Sequence, residues 1–534
     1  MSLRVMSFRR ALAYAPLVGA AVIAATPCAA QSRAAPPVAA QIDQLQRQIQ
    51  VLQQQSQQQI QALQQQLQDL QNQINANQKA QSAAAPPAPA TTAPATTAPS
   101  TTAPPVTASS PTAPLTAPRI TQSATNRFGL ESADGQYSIA LTGRLHLDVG
   151  DYINVHPGSR AAPVSNLSSG FNARRARIGV TGKAFGDWTY TFIYDAGNSN
   201  DVTPRGIEYA QFNYRGFKNT ILDFGYSDTF FALDEATNTN DIMFMERATP
   251  VAVATQFNAG DFRSNVGARF YSDRYWLGAY FTGPQQGQSH AQTAEQFGAF
   301  QRGTYQLLRG PDYSLHLGAA VDELLKAPNT GIDTPNAITL NDPPELRIDS
   351  TAILNTGTLG SVANPVTGGT VYNLETAAGY KNLFWQGEYF HYALDRRGLQ
   401  QANFDGGYGQ VGWTLTGESR KYIPETGAYS AIIPDRPFSL AEGGWGAWEL
   451  GARVSYIDLN GNFTAGLPLA SQPSAVAGGK QTSFTLGLNW YVNSNMRFML
   501  NYVHANIDKA SLTSPSNSVG ATVDAIALRS QVAW

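Results

Sequence analysis

Residues 137–149 read YSIALTGRLHLDV, in which apolar side chains alternate with polar or small ones. Successive side chains of a β-strand point to opposite faces, so this run predicts a strand with one apolar and one polar face. It is long enough to cross a bilayer at the usual tilt, which needs roughly 9–11 residues. The same alternation recurs over residues 188–195 and 496–502. The sequence therefore predicts a chain that crosses a membrane with strands.

The connectors between such runs alternate in length, as in outer-membrane barrels with short periplasmic turns and long outer loops. Seventeen strand-like runs can be drawn, and setting aside residues 345–354, which lie inside a long connector, leaves the even number of 16. One long connector, 419–444, falls on the turn side, and the sequence offers no explanation for it. The short turns are 185–187, 217–219, 272–274, 309–312, 381–382 and 493–495, and the long connectors are 229–262, 323–369 and 460–479.

The predicted fold class is all-β, a 16-stranded antiparallel transmembrane β-barrel over residues 128–534, preceded by an N-terminal α-helical coiled coil. A soluble β-sandwich would also show alternating strands. Runs of roughly 12–16 residues argue against it, because strands of globular sheets are usually about 5–6 residues long.

Composition excludes several other classes of protein. Charged residues make up 14% of the 534-residue chain and aromatic residues 10%, which fits neither a disordered charged tail nor a helical membrane protein. The net charge is −2 and no segment of the barrel region has the basic excess of a nucleic-acid partner. The single cysteine, Cys28, excludes disulfide scaffolds and cysteine metal sites.

The N-terminus is predicted to be an export signal. Residues 1–30 combine an arginine-containing start, an apolar core over residues 11–25 and small residues up to Ala30. A lipoprotein reading of Cys28 is the alternative, and the preceding Pro27 makes a poor context for it. After cleavage no apolar run long enough for a membrane-spanning helix remains.

Two further segments precede the barrel. Residues 31–80 are rich in glutamine and carry apolar residues at heptad spacing, which predicts a self-associating coil with one four-residue insertion near Ser56. A disordered glutamine-rich tract is the alternative. Residues 81–127 are dominated by Ala, Pro and Thr and predict a semi-rigid linker. The coil positions are Ile42, Leu45, Ile49, Leu52, Ile60, Leu63, Leu67, Leu70 and Ile74.

No catalytic site, metal site or cofactor is predicted. The six histidines show no metal-ligand spacing, and no Gly-x-Ser-x-Gly nucleophile turn is present. An outer-membrane enzyme is therefore disfavoured, and His146 is interpreted as a residue of the barrel wall.

The barrel region resembles the phosphate- and polyphosphate-selective porins of Gram-negative outer membranes. The resemblance covers nearly all of 128–534 and implies a trimeric porin whose connector 229–262 folds into the lumen as the constriction. It also favours three strands for the coil. The runs that carry it are ARRARIGV at 173–180, FGDW at 185–188, FMERA at 244–248, LTGESR at 415–420, RPFSL at 436–440, GGWGAWEL at 443–450, LGLNWY at 486–491 and NYVH at 501–504.

Seven arginines are predicted to line the pore. They fall on the polar face of their strands, and an arginine facing lipid at mid-membrane would cost about 2–4 kcal/mol. A guanidinium suits the binding of oxyanions, but the alternative is a scaffolding role in ion pairs with inward acids such as Asp148, Glu388 and Glu449. The seven are Arg144, Arg175, Arg177, Arg269, Arg453, Arg497 and Arg529.

The predicted constriction loop is acidic, with Asp234, Glu235, Asp241 and Glu246 and the single base Arg247 among its candidate site residues. Lysines that the resemblance implies near the narrowest point are absent from the stretch that enters the loop, GYSDTF at 225–230. The predicted function is therefore passive diffusion of small polar or anionic solutes, with phosphate or polyphosphate as candidate solutes.

The alternative function is a structural tether that links the barrel to the cell wall through the coil. Outer-membrane lipid is the predicted environment of the barrel, with the coil in the periplasm. The predicted partners are two further copies of the chain, the barrel assembly machinery through the C-terminal Trp534, and peptidoglycan as a candidate contact of the coil. No nucleic-acid partner is expected.

Overall fold

The computed structural model describes residue 65 and residues 117–122, 128–158, 167–197, 206–285, 295–329, 334–512 and 517–534. The predicted signal peptide and all of the predicted coil except Gln65 lie outside these residues. The described residues form 22 β-strands: β1 Arg119–Thr121, β2 Phe128–Glu131, β3 Ser138–Pro157, β4 Gly170–Ala184, β5 Trp188–Asp195, β6 Gly206–Tyr214, β7 Thr220–Asp228, β8 Phe262–Tyr271, β9 Tyr275–Thr282, β10 Phe297–Arg309, β11 Tyr313–Lys326, β12 Ile338–Asp342, β13 Leu354–Leu359, β14 Val366–Tyr380, β15 Leu383–Arg396, β16 Ala402–Thr414, β17 Tyr422–Ile423, β18 Ala428–Tyr429, β19 Ala447–Gly461, β20 Val476–Tyr491, β21 Met496–Asp508 and β22 Ala521–Ala533.

Sixteen of the described strands form one antiparallel barrel, which confirms the predicted strand number. They are β3–β11, β14–β16 and β19–β22, and the ring closes where β22 pairs with β3. The run set aside at 345–354 contains no strand before Leu354, where β13 begins. Strands β12 and β13 belong to the connector between β11 and β14. They form a separate two-stranded sheet and are not strands of the barrel wall.

The sheet begins earlier than the linker boundary at residue 127 implies. Strand β1 pairs with β2, and β2 pairs with residues 138–141 of β3. The partner strand β22 reaches only Arg144 on that edge of β3, so the β1–β2 hairpin covers the part of the edge that β22 leaves open. Residues 119–121 therefore belong to the barrel sheet and not to the linker.

Short turns join most strands at one end of the barrel and mostly longer connectors join them at the other, as predicted, and the long connector 415–446 is the expected exception at the end with short turns. We call these two ends the turn end and the loop end. An outward row of aromatic side chains marks the turn end: Trp448 of β19 lies opposite Trp490 of β20, which lies opposite Phe498 of β21. Tyr456, eight residues along β19, marks a second aromatic level about 26 Å away at roughly 3.3 Å per residue. The outward face between these levels is apolar, as expected for a surface in contact with lipid.

The alternation reverses near the loop end, against the expectation that apolar side chains face lipid throughout. On β15, Phe390 and Tyr392 are fully buried inside the barrel, whereas His391 points outward and its Nδ1 lies 2.8 Å from an oxygen of Asp405. The physical reason is that connectors, not water, fill this part of the interior. Apolar inward side chains are buried there, and the outer rim beyond the aromatic level carries polar groups.

Helices are short and few in the part of the chain that the structure describes beyond residue 117. The α-helices are α1 Leu233–Ala236 and α2 Thr249–Gln256, both in the connector between β7 and β8, and a 3-10 helix spans Leu469–Ser471 between β19 and β20. None of the helices among the described residues is long and apolar enough to cross a membrane.

Candidate functional site

The connector between β7 and β8, residues 229–261, lies inside the barrel and is called the inner loop. The carboxylate of Glu388 on β15 accepts the backbone N–H groups of Leu233 and Asp234 at 2.9 Å each, where α1 begins. On β3, six strands away from β15 round the ring, Arg144 donates to the side-chain oxygen of Asn238 in the same loop at 3.0 Å. The loop is therefore held to two well-separated parts of the wall, and its backbone crosses the interior as the resemblance implied.

The described residues of a second connector, 327–329 and 334–365, enter the interior from the loop end and are called the mouth loop. Its Glu345 is buried and adopts a positive φ of 52°. One carboxylate oxygen accepts the N–H of Thr249 at 3.0 Å, where α2 begins, and the other lies 2.7 Å from Nη2 of Arg453 on β19. A carboxylate at a helix N-terminus compensates its unpaired N–H groups. Glu345 thus joins the mouth loop, the inner loop and the wall.

A third connector, residues 415–446, enters from the turn end and is called the turn-side segment. The guanidinium of Arg302 on β10 pairs with Glu375 at 2.8 Å and also donates to the carbonyl of Gly427 at 2.8 Å. Arg420 pairs with Glu449 at 2.9 Å and donates to the carbonyl of Asp241 in the inner loop at 2.7 Å. The connector that the sequence left unexplained therefore packs inside the barrel through its first half.

Two of the polar cavities that the described residues form in the interior border β4. A further one, about 280 Å³, lies at the turn end beside the turn-side segment. The outer chamber, about 370 Å³, lies toward the loop end between β4, the inner loop and the mouth loop. The inner chamber, about 390 Å³, opens toward the turn end and is bordered by the wall from β3 to β6, the tip of the inner loop and the C-terminal Trp534. The space between them is crossed by the inner loop, where Asn240 Oδ1 lies 3.0 Å from Nε2 of His146.

All seven predicted arginines point into the barrel, but four of them are paired with carboxylates. Arg529 is the most completely paired, at 2.7 Å from both Asp148 and Glu246. The others pair as follows: Arg177 with Asp195 at 2.8 Å and Glu208 at 3.0 Å, Arg269 with Asp223 at 3.2 Å, and Arg453 with Glu345 at 2.7 Å. The contacts of these four arginines therefore match the alternative interpretation, in which inward arginines stabilise the wall through ion pairs with inward acids.

The other three predicted arginines make no ion pair with a carboxylate of the described residues. Arg175 lines the outer chamber, is 2% exposed, and its Nε has no hydrogen-bond partner there. Arg144 lines the inner chamber and donates to the side-chain oxygen of Asn238 at 3.0 Å. Arg497, also at the inner chamber, donates to the carbonyl of Ile242 at 2.9 Å. These three guanidinium groups keep their charge uncompensated by a direct acid contact.

The predicted acids of the inner loop are largely engaged by arginines. Glu246 contacts Arg174 at 2.8 Å and Arg529 at 2.7 Å, and these neighbours hold the pKa of Glu246 well below its usual value in spite of burial. Arg247 lies 3.2 Å from Glu235 and 3.8 Å from Asp234, so it is paired within the loop itself.

Three of the loop carboxyls, Asp234, Glu235 and Asp241, have pKa values that burial shifts upward, toward the neutral form. Burial, together with the nearby carboxylates of Asp261 and Asp228, outweighs Arg247 and raises the pKa of Glu235 to about 8. Burial likewise raises the pKa of Asp241, which borders the inner chamber. At neutral pH the acidic sequence of the loop therefore contributes less negative charge than its composition implies.

Counting the lining residues gives a positive balance in each chamber. The outer chamber has four arginines against three carboxyl groups, and the inner chamber has two against one. The lining ions of the outer chamber are Arg174, Arg175, Arg247, Arg347, Glu235, Glu246 and Asp261, and those of the inner chamber are Arg144, Arg497 and Asp241.

Arg174 is a residue of the chamber that the sequence analysis missed. Strict alternation places Arg175 and Arg177 inward and Arg174 outward, but the β3–β4 register shifts between His146 and Leu147, where Arg175 and Ala173 are the successive partners. This β-bulge inserts Arg174 as an extra residue and turns its side chain inward, where it is 1% exposed. The signal was present in the adjacent arginine pair, because strict alternation would have placed one of the two in lipid.

The remaining missed residues come from connectors. Arg347 and Asn341 of the mouth loop border the outer chamber. Alternation along strands cannot identify them, since a connector has no fixed period, and only the three-dimensional path of the loop brings them to the site.

Comparison with known proteins identifies one family. The family model described as phosphate-selective porin O and P matches residues 139–534. Porin O of Pseudomonas aeruginosa is 27% identical over 403 residues, which cover 71% of this chain and 86% of that protein. An uncharacterised protein of Caulobacter vibrioides is 27% identical over 405 residues, which cover 73% of each.

Solved structures of outer-membrane channels are more distant. OmpT of Vibrio cholerae matches with a TM-score of 0.45 and 11% identity, covering 78% of this chain and 100% of that one. An anion-selective porin from Comamonas acidovorans matches with a TM-score of 0.43 and 11% identity, covering 74% and 100%. At this level of similarity these two structures carry no inference about function.

Proposed function

We propose, from the premise that this chain belongs to the phosphate-selective porin O and P family, that its barrel passes small anions across the outer membrane by way of the outer and inner chambers. Members of this family are porins of the outer membrane. The selection of anions, and phosphate as a candidate solute, are the steps that go beyond family membership.

The observation that carries this proposal is that Arg175 and Arg144 border the two chambers without an acid partner among the described residues. A charge in a narrow site with low-dielectric walls acts on a passing ion more strongly than the same charge on an open surface. A guanidinium also offers a planar fork of N–H donors that matches an oxyanion. The paired arginines, such as Arg529, have little field left for a solute.

Phosphate is supported as a solute by this fork geometry and by the similarity to Porin O. Three of the four arginines at the outer chamber are paired with acids, and Arg175 is the one whose fork is open to a solute. An anion with several oxygens can accept from more than one N–H group of such a fork at a time. Chloride is a single atom without a planar set of oxygens, so it would be attracted only by the positive charge.

The experiment is a reversal-potential measurement in a KCl gradient across planar bilayers. The wild-type channel is expected to prefer chloride over potassium, and the double variant Arg144→Gln with Arg175→Gln is expected to lose most of that preference. Arg119→Gln is the matched control, because Arg119 lies on β1 outside the ring, is exposed and pairs with Glu131. Potassium preference of the wild type, or an unchanged double variant, contradicts the proposal.

Phosphate is tested separately by adding it to the chloride solution. We expect phosphate to reduce chloride current through the wild-type channel and to do so less in Arg175→Gln. If phosphate leaves the chloride current unchanged while chloride preference persists, the channel is a general anion porin without a phosphate site.

The inner loop is proposed as the constriction, and its candidate residues Asp234, Glu235, Asp241, Glu246 and Arg247 act mainly by setting the charge balance of the chambers.

We also propose that the chain is divided into a signal peptide 1–30, a coil 31–80, a linker from residue 81 and the barrel, and that three copies form a homotrimer joined through the coil. Recognition of Trp534 by the assembly machinery belongs to the same proposal, and no catalytic step does.

The tether function is a second candidate, and one observation supports it. The β1–β2 hairpin fixes the N-terminal segment to β3 at the turn end of the barrel. A coil that starts there would extend into the periplasm, where the cell wall lies. The coil itself lies outside the described residues, and envelope integrity after its deletion is the measurement that tests the tether.

A further inference from the structure

The second half of the turn-side segment leaves the barrel interior and packs on the outer wall. The ring of Phe438 meets Trp490 of β20 edge-on, with ring centres 5.3 Å apart. The indole N–H of Trp490 donates to the carbonyl of Trp445 at 3.0 Å. Trp490 itself stacks between Trp448 and Phe498 in the outward aromatic row of the turn end. This half of the segment is therefore attached to the lipid-facing wall.

A tight turn over residues 436–446 presents two large apolar side chains to the outside. Leu440 is 89% exposed and Trp445 is 73% exposed. The turn is fixed, since Ser439 and Gly444 exchange backbone hydrogen bonds of 3.0 and 3.1 Å. Gly443, with a φ of 67°, adopts the left-handed conformation that such a turn needs. The exposure of Leu440 is thus built into an ordered element.

We propose that the 436–446 turn is an interfacial anchor, in which Leu440 and Trp445 insert into the phospholipid leaflet at the turn end of the barrel. The main argument is continuity, because the turn extends an aromatic row that already faces lipid. Tryptophan is favoured at such an interface, where its apolar ring and polar N–H face different surroundings. Arg436, exposed at the base of the turn, lies where a lipid phosphate can accept its N–H groups.

Phospholipid is a better partner for the 436–446 turn than a second copy of the chain. Outward aromatic residues recur at the turn end on other sides of the barrel, for example Tyr137 before β3, Phe217 between β6 and β7, and Tyr275 on β9, each about half exposed. The row is therefore a feature of the whole circumference, as expected for a membrane boundary, and not of one contact face. The anchor goes beyond the proposed transport function and does not depend on which solute passes.

The consequence is a direct link between membrane and pore within one connector. Its first half contacts the inner loop through Arg420, and its second half holds the lipid interface through Leu440 and Trp445. The length of the segment, which breaks the rule of short periplasmic turns, follows from these two attachments.

The test uses the cysteine-free chain that remains after residue 30. Leu440→Cys carries an environment-sensitive nitrobenzoxadiazole label in vesicles of phosphatidylethanolamine and phosphatidylglycerol, with and without brominated acyl chains. We expect blue-shifted emission and strong quenching by the brominated lipid. Lys218→Cys, exposed in the turn between β6 and β7, is the control and is expected to stay in water and unquenched.

Two results overturn the anchor. A label at residue 440 that behaves like the label at residue 218 places the turn in water. An unquenched label, combined with disulfide formation between Leu440→Cys chains, places a second copy on the turn. Quenching by the brominated lipid, without such cross-links, supports the phospholipid.

A second measurement avoids a bulky label on the tip. The reaction of Arg436→Cys with a membrane-impermeant maleimide is expected to be several-fold slower in vesicles than in detergent. Adding Leu440→Asp is expected to remove most of this protection, and the exposed position lets the fold tolerate the change. A rate that neither the bilayer nor Leu440→Asp alters contradicts the proposal.

Discussion

Arg174 and Arg175 are neighbours in sequence, yet one is ion-paired and the other is not. Arg174 forms two hydrogen bonds to Glu246, at 2.8 and 2.9 Å. Arg175 has only a long contact of 3.5 Å between its Nη1 and Nδ1 of His146. A residue's type and its inward position therefore do not decide whether its charge reaches a solute. The partners that the inner loop brings to it decide that.

Glu235 is expected to make the ion preference of the channel depend on pH. Its pKa is raised to about 8, so the carboxyl is mostly neutral at pH 6 and becomes negative as the pH rises through 8. The added negative charge opposes Arg175 in the same chamber. Chloride preference should therefore fall between pH 6 and pH 9, as measured by reversal potentials.

The matched variant for this prediction is Glu235→Gln, which keeps the size of the side chain and cannot ionise. The decline in chloride preference should disappear in this variant. A decline of the same size in the variant would assign the pH dependence to another group.

Removal of the Glu345 carboxylate is expected to destabilise the barrel. Glu345→Ala leaves Arg453 buried without its acid partner and the first N–H of α2 without an acceptor. Breaking a buried ion pair costs about 3–5 kcal/mol. The free energy of unfolding, measured by urea titration in detergent or vesicles, should fall by that order.

Glu345→Gln is the control, because the amide oxygen can still accept from Thr249 while the charge is lost. Its cost should be clearly smaller than that of Glu345→Ala. Equal losses for the two variants would mean that the hydrogen bonds contribute little beside the charge.

At the scale of the element, the strands were predictable and the connectors were not. The 13 to 16 residues of strands such as β10 and β20 show the alternation needed for a wall in contact with lipid. The turn-side segment has no period, and its path is set by distant groups such as Arg302 and Trp276, which bind its backbone carbonyls. The same reason explains the failure of the alternation near the loop end, where connectors replace water inside.

The hairpin of β17 and β18 is expected to narrow the water-filled cross-section of the barrel. Replacing residues 422–429 with a short Gly-Ser linker removes the carbonyl acceptors of Arg302 and Trp276 and opens the space beside β9 and β10. Single-channel conductance should rise. A linker of the same kind in place of residues 465–472, in the outer connector between β19 and β20, should leave the conductance unchanged. An unchanged conductance in the first variant would show that ions do not use this side.

At the scale of the whole molecule, the closed ring was predictable from strand parity, but the position of the solute path was not. Sixteen strands and the inward face of seven arginines followed from period and membrane cost. The location of both chambers beside β4 follows from apolar packing of the inner and mouth loops against the other walls, where Phe231, Phe390 and Leu340 are fully buried. Such packing depends on contacts between residues far apart in sequence, which local patterns do not contain.

Deleting the N-terminal segments should separate the roles of the coil and the β1–β2 hairpin. Removal of residues 31–116 keeps β1 and β2, and conductance and thermal stability of the barrel are expected to stay near the wild-type values. Removal of residues 31–131 also uncovers the edge of β3 over residues 138–141, and the temperature of heat-modifiable gel migration is expected to fall. Loss of conductance in the shorter deletion would contradict a barrel that functions by itself.

The ring is joined by the pairing of its first strand with its last, from Pro157 opposite Ala521 to Arg144 opposite Ala533. During export β3 is the first strand of the ring to be delivered, and one of its edges can pair with β4 at once. Its other edge lacks β22 until some 360 later residues have crossed as well. Every partly translocated molecule thus has two unpaired strand edges, whose backbone groups can hydrogen-bond to a neighbouring chain. The cell must keep such intermediates apart in the periplasm. This protein is therefore most prone to aggregate before the barrel has closed, and not after.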